Sequence, residues 1–197
     1  MLYLPGIGPT LGWTFEGSPH DPQIDVAIVD AIAAMQLVRH PDTKPDALIS
    51  IWDRGTEAIA QYGWPSSVQP GLVLEFDDVL VDKPLHGYVA PTRADVEPLV
   101  ALAPTLQGRV LVHCAAGISR SSAATLILFA TRLGPGRELD AVRALLGSRE
   151  RTERRGWRTG GVSPNRTMIV LADEILGRHG SLVETVDQAL DNDDGSI

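Results

Sequence analysis

Arg109-Val110-Leu111-Val112-His113-Cys114-Ala115-Ala116-Gly117-Ile118-Ser119-Arg120-Ser121 begins as a short apolar run, passes through small residues and enters a long apolar stretch ending at Arg132. The Val and Leu residues between Arg109 and His113 predict a buried strand, and Ser121 to Arg132 predicts a helix. Gly117 supplies the backbone freedom that a tight turn between them requires. A strand delivered through a short turn into a helix is the unit from which α/β folds are built.

The flanking sequence carries the same alternation. Ala47 to Trp52 and Gly71 to Phe76 read as buried strands, the second ending in Asp77-Asp78. Ile24, Ala27, Ile28, Ala31, Ile32, Met35 and Val38 recur with a helical period, which predicts a helix over 24–38 that stops before His40-Pro41. Thr92 with Asp95, after Pro91, opens a helix to about Ala103. Glu138 to Leu146 is a further helix. Ser163-Pro164 reads as an N-cap serine with proline at the first helical position, for a helix continuing to about Leu176. Ser181 to Leu190 reads as the last helix. The expectation is one α/β domain over 1–197, with a central, mainly parallel sheet flanked by helices. Residues 1–20 form an irregular lead-in and 191–197 an acidic tail.

Bulk properties narrow the function. The chain has 197 residues, enough for one well-buried core, with 44% hydrophobic and 21% charged residues and a mean hydropathy of +0.02. No apolar run approaches the ~20 residues needed to span a bilayer. The first residues lack Lys and Arg and are broken by Pro5, Gly6, Gly8 and Pro9, unlike a secretory signal. A cytoplasmic protein with no membrane partner is expected. The net charge of −8 argues against a nucleic-acid partner, which requires a basic surface. Cys114 is the single cysteine, so neither an internal disulfide nor a thiolate-rich zinc site is available. His20, His40, His86, His113 and His179 are scattered, and no metal or cofactor is read.

Chemistry concentrates around Cys114. Backbone N–H groups of a strand-to-helix loop, with the helix N-terminus behind them, make a cradle for a tetrahedral oxyanion. The same field favours the thiolate form of a cysteine at its base. Arg120, six residues on, folds back over the mouth, where its planar fork matches two phosphate oxygens. Thiolate, cradle and guanidinium are the parts required for nucleophilic attack on a phosphate ester.

His113-Cys114-x-x-Gly117-x-x-Arg120-Ser121 resembles the signature of the protein tyrosine phosphatase superfamily, at its dual-specificity-like end. Ser163-Pro164-Asn165 resembles the element that opens the last core helix in many members. The resemblance covers about residues 45–180. It implies a protein tyrosine or dual-specificity phosphatase in which Cys114 forms a cysteinyl-phosphate. Arg120 then binds substrate and stabilises the transition state, and Ser121 helps the thiolate leave. Ala115, Ala116, Gly117, Ile118 and Ser119 line the phosphate, His113 fixes the loop, and Asn165 braces it. The substrate is a phosphorylated protein or a small phosphomonoester. A phosphate-binding module without turnover is the alternative.

A general acid must protonate the leaving oxygen. The resemblance places it some thirty residues before the cysteine, at the end of the preceding core strand. Asp82 suits the count and Asp78 the position directly after Phe76, with Asp77 between strand and Asp78. Loop length varies easily at a surface, so position outweighs count and Asp78 is expected. The loop around Cys114 carries no lysine, which disfavours a heavily charged lipid headgroup. Arg149, Arg151, Arg154, Arg155 and Arg158, interleaved with Glu150 and Glu153, read as a solvated loop. Trp52-Asp53 reads as a packed tryptophan beside an exposed aspartate, and Trp157 is a weak candidate for a substrate contact.

Overall fold

A computed structural model describes residues 12–56, 68 and 71–191. Residues 1–11 of the lead-in and 192–197 of the acidic tail lie outside the described residues. Four parallel strands form one sheet in the order β1-β4-β2-β3, with β1 Ile24–Val29, β2 Ala47–Trp52, β3 Gly71–Glu75 and β4 Gly108–His113. Among the described residues the α-helices are α1 Ala31–Leu37, α2 Arg93–Leu102, α3 Arg120–Leu133, α4 Glu138–Arg154, α5 Arg166–Ile175 and α6 Ser181–Asp191.

Strands β1 and β2 are buried on both faces, as in a covered parallel sheet. Edge strand β3, expected to be buried, has only Leu74 buried because a single neighbour, β2, flanks it. Val110 and Val112 of β4 point into the larger core with α3, while Leu111 points into a second cluster with Trp13, Ala33, Leu37 and Trp157. All residues of α3 from Arg120 to Ala130 are buried, so this helix is enclosed on every side. No helix among the described residues is long and apolar enough to cross a membrane.

The expected helix over 24–38 is instead a strand followed by a short helix. Both faces of β1 are buried, so its apolar residues run continuously and lack the alternation that marks a half-exposed strand. Asp30 ends the strand: its Oδ1 accepts the Ala33 N–H at 2.7 Å and caps α1. The helix predicted to end near Leu146 continues to Arg154. Helix α5 starts at Arg166, because the Asn165 side chain, not Ser163, accepts the Met168 N–H. The Thr92–Asp95 capping box is present as expected.

The arginine-rich stretch is not a solvated loop. Arg149, Arg151 and Arg154 lie on α4. Fully buried Asp25 of β1 meets Arg155 at 2.6 Å and Arg151 at 3.4 Å. Asp25 also accepts from Trp13 Nε1 at 2.9 Å and from the Glu16 N–H at 3.2 Å. Trp157 is buried edge-to-face on Trp13, ring centroids 5.1 Å apart, and is no surface contact.

Candidate active site

In an open parallel sheet, ligands bind beyond the carboxyl ends of the strands. Here those ends deliver Asp53 after β2, Phe76-Asp77-Asp78 after β3 and Cys114 after β4. Strand β2 lies between β4 and β3, so the Asp53 and Asp78 ends both reach the Cys114 loop from the same side of the sheet.

Cys114 is buried at the floor, with Sγ 3.3 Å from Ser121 Oγ on the first turn of α3. Ala115, Ala116 and Ile118 are exposed above it. The loop's carbonyls are taken from outside: Ala115 O by the Ala31 N–H, Ile118 O by the Ser163 N–H and Ser119 O by the Asn165 N–H, each at 3.3 Å. That leaves the loop amides for the concave side, where an oxyanion fits. Gly117 makes this curvature possible. Its φ is +72°, and a Cβ there would stand 2.7 Å from the Val29 carbonyl carbon and 2.9 Å from the Asp30 nitrogen.

His113 is sealed under the loop. Its Nδ1 lies 3.3 Å from Cys114 O, and its Nε2 lies 2.8 Å from Ser50 Oγ, which also accepts the Trp52 indole N–H. Burial pushes the imidazole down from 6.5 to about 4, the Arg120 charge adding to the effect and the Cys114 carbonyl opposing it. The ring is therefore neutral near pH 7. A carbonyl only accepts, so Nδ1 carries the proton and Ser50 donates to Nε2.

Arg120 is almost enclosed, its side chain 3% exposed. Nη1 donates to Phe76 O at 2.7 Å and forms an ion pair with Asp53 Oδ1, also at 2.7 Å. Nε has no hydrogen-bond acceptor among the described residues and lies 3.9 Å from Asp78 Oδ2. The guanidinium is thus anchored on one edge with a donor left over.

The three candidate acids separate. Asp77 Oδ2 accepts the Val89 N–H at 2.7 Å and Asp82 Oδ1 the Ala90 N–H at 2.9 Å, so both brace the loop from residue 77 to 90. Asp78 turns to the Cys114 loop. Its Oδ1 accepts from Ser119 Oγ at 2.7 Å and from Asn165 Nδ2 at 2.9 Å. The structure therefore gathers Cys114, Ser119, Arg120, Ser121, Asp78 and Asn165, with His113 beneath, and keeps Asp77 and Asp82 out. Sequence reading passed over Ser50 as a partner of His113 and Asp53 as a partner of Arg120. The position of Asp53 after a core strand, shared with Asp78, was the available signal. Among the described residues no group of His, Cys, Asp and Glu is arranged to hold a metal ion.

Strands, loop and side chains together define an α/β domain with a buried cysteine at the base of a strand-to-helix loop. Neither a family model nor a curated protein matches the chain. In fold it is similar to solved phosphatases. PTPMT1, solved in complex with PI(5)P, shares 16% identity over 88% of this chain and 97% of that chain, with a TM-score of 0.45. The PTP-2 phosphatase of Cydia pomonella shares 16% over 82% and 90%, with a TM-score of 0.47. The Yvh1 phosphatase domain of Chaetomium thermophilum shares 16% over 84% and 97%, with a TM-score of 0.45.

Proposed function

We propose that this protein is a cysteine-dependent phosphatase that hydrolyses phosphate monoesters through a cysteinyl-phosphate. The observation that carries the reading is Cys114 Sγ on Ser121 Oγ, at the floor of a cradle that Arg120 and Asp78 face from one side. In the first step Sγ attacks phosphorus, the S–P bond forms, and the bond to the leaving oxygen breaks with its electrons. The loop amides and the Arg120 Nε–H hold the equatorial oxygens. Asp78 gives the leaving oxygen a proton from Oδ2, since Oδ1 is occupied by Ser119 and Asn165. In the second step the Asp78 carboxylate takes a proton from water as that water attacks phosphorus. The S–P bond then breaks, and the Ser121 hydroxyl donates to the departing thiolate. A neutral His113 holds the loop through Cys114 O and takes no proton.

The test is hydrolysis of phenyl phosphate by the wild type, Cys114→Ser and the Asn variants of Asp77, Asp78 and Asp82. Cys114→Ser is expected to lose at least about 10³-fold in kcat, and Asp78→Asn roughly 100-fold together with the basic limb of the pH–rate profile. Wild-type activity in Cys114→Ser sinks the mechanism. A flattened basic limb in Asp82→Asn alone moves the acid to Asp82. Binding of phosphate without turnover in the wild type identifies a phosphate-binding module instead.

A further inference from the structure

Basic side chains are nearly all engaged in this acidic chain. Arginines from Arg93 on α2 to Arg178 after α5 hold carboxylates across the molecule. The basic side chains with no carboxylate or hydrogen-bond partner among the described residues are Lys44, Arg54 and Lys83. Lys44 precedes β2, at the end of the sheet opposite Cys114. Arg54 and Lys83 line one cavity of about 600 Å³ together with Asp53 and Asp78.

The cavity adjoins the Cys114 loop through two of its lining residues, Asp53, which pairs with Arg120, and Asp78, which accepts from Ser119. Its acids are committed: Asp53 to Arg120, Asp77 to the Val89 N–H, and Asp78 to Ser119 and Asn165. Its cations are not. Lys83 is held on a built turn, since the Lys83 N–H donates to Tyr88 O at 3.0 Å and the Tyr88 N–H returns to Lys83 O at 3.3 Å. Gly87, with φ +72°, closes that turn, and the His86 and Tyr88 rings lie 6.0 Å apart along it.

We propose that this cavity is a second anion subsite, and that the substrate is a small phosphomonoester whose leaving group carries a second phosphate. The proposal rests on the phosphatase reading for the first phosphate. Arg54 supplies a planar fork and Lys83 a point charge, a pairing suited to one compact dianion. The volume lies in the range of small-molecule sites. Two cations lining one space favour a compact anion over the dispersed carboxylates of an acidic peptide. The missing lysine in the Cys114 loop is consistent with this, because the added positive charge arrives from the loops after β2 and β3.

Calorimetric titration of full-length Cys114→Ser with fructose 1,6-bisphosphate and fructose 6-phosphate tests it, alongside a phosphotyrosyl peptide flanked by glutamates. The bisphosphate is expected to bind at least about tenfold tighter than the monophosphate, with the ratio falling to about two when Arg54→Ala and Lys83→Ala are added. Lys44→Ala, an equal change of charge at the far end of the sheet, is expected to leave the ratio intact. A ratio near one in the parent, an equal loss in Lys44→Ala, or a response to the double variant confined to the peptide overturns the subsite. If the wild type leaves phenyl phosphate untouched while the ratio persists, the phosphatase reading falls and the subsite stands.

Discussion

At the scale of single residues, two positions carry more than their chemistry suggests. Gly117 sits at positive φ with the backbone of Val29 and Asp30 pressed against the place of its missing Cβ. An alanine there pays roughly 1–2 kcal/mol for the left-handed conformation before the clash is counted. Gly117→Ala is expected to lower the melting temperature and to cost more than about tenfold in phenyl phosphate turnover, since the cradle amides move with it. Unchanged kinetics in this variant would mean the loop does not shape the site. His113 makes a prediction with a sign. Its imidazole titrates near 4 in the folded chain against 6.5 when free, so between those values the unfolded chain binds the extra proton. Stability is then whole above about pH 6.5 and lost as pH falls toward 4, by on the order of 3 kcal/mol in full. Urea unfolding at about pH 7.5 and about pH 5 compares the wild type with His113→Gln, and the loss on acidification is expected to be smaller in the variant.

At the scale of elements, the arginine-rich end of α4 fastens the helix to the sheet. Asp25 is fully buried on β1 and holds both Arg151 and Arg155, while Arg155 lies over the Trp13 and Trp157 rings at 5.7 and 5.5 Å. Removing the carboxylate strands two guanidiniums in the interior. Asp25→Ala is therefore expected to cost about 3–5 kcal/mol, read as a fall in the denaturant midpoint. Replacing all three groups by apolar residues, as in Asp25→Leu with Arg151→Met and Arg155→Met, is expected to recover most of that loss. This network was illegible in the sequence because the pairs join residues more than a hundred positions apart. Locally the stretch alternates Arg with Glu, which on a one-dimensional reading is the pattern of a solvated segment. The strand over Ile24 to Val29 was illegible for another reason. With both faces buried it has no polar side to betray its period, and its apolar positions mimic a helix when read on into α1. By contrast, β2, β3, β4 and α3 announced themselves through short β-branched runs and a long apolar stretch.

At the scale of the whole molecule, the site joins a buried half to a more exposed one, and the sheet order that brings them together decides which parts could be foreseen. Cys114, Gly117, Arg120 and Ser121 lie within eight residues of one another, so the sequence places them together without knowledge of the sheet order. Asp53 and Asp78 reach Arg120 and Ser119 only because β2 sits between β4 and β3, which no local pattern reveals. The same sheet order sets the expected dynamics. Strand β4 is hydrogen-bonded on both sides, to β1 and to β2, and it runs into α3, whose residues from Arg120 to Ala130 are all buried. The segment after β3 has exposed Leu80, Val81, Leu85 and Tyr88, and beyond Asp78 and Leu80, which are tied to Ser119, Asn165 and Thr167, it is held by Asp77, Asp82 and the bridge between Lys83 and Tyr88. Native-state hydrogen exchange is therefore expected to be slowest at Val110 to Val112 and at Leu126 to Phe129, approaching the global unfolding free energy. Amides from Val79 to Tyr88 are expected to exchange by local opening, at least about 100-fold faster. Saturating vanadate, an oxyanion of phosphate shape, should slow exchange across Asp78 and its neighbours if that loop closes over the occupied cradle, because a ligand bound only to the closed form deepens it. Protection confined to residues 114–121 would instead show a cradle that binds its anion without recruiting Asp78.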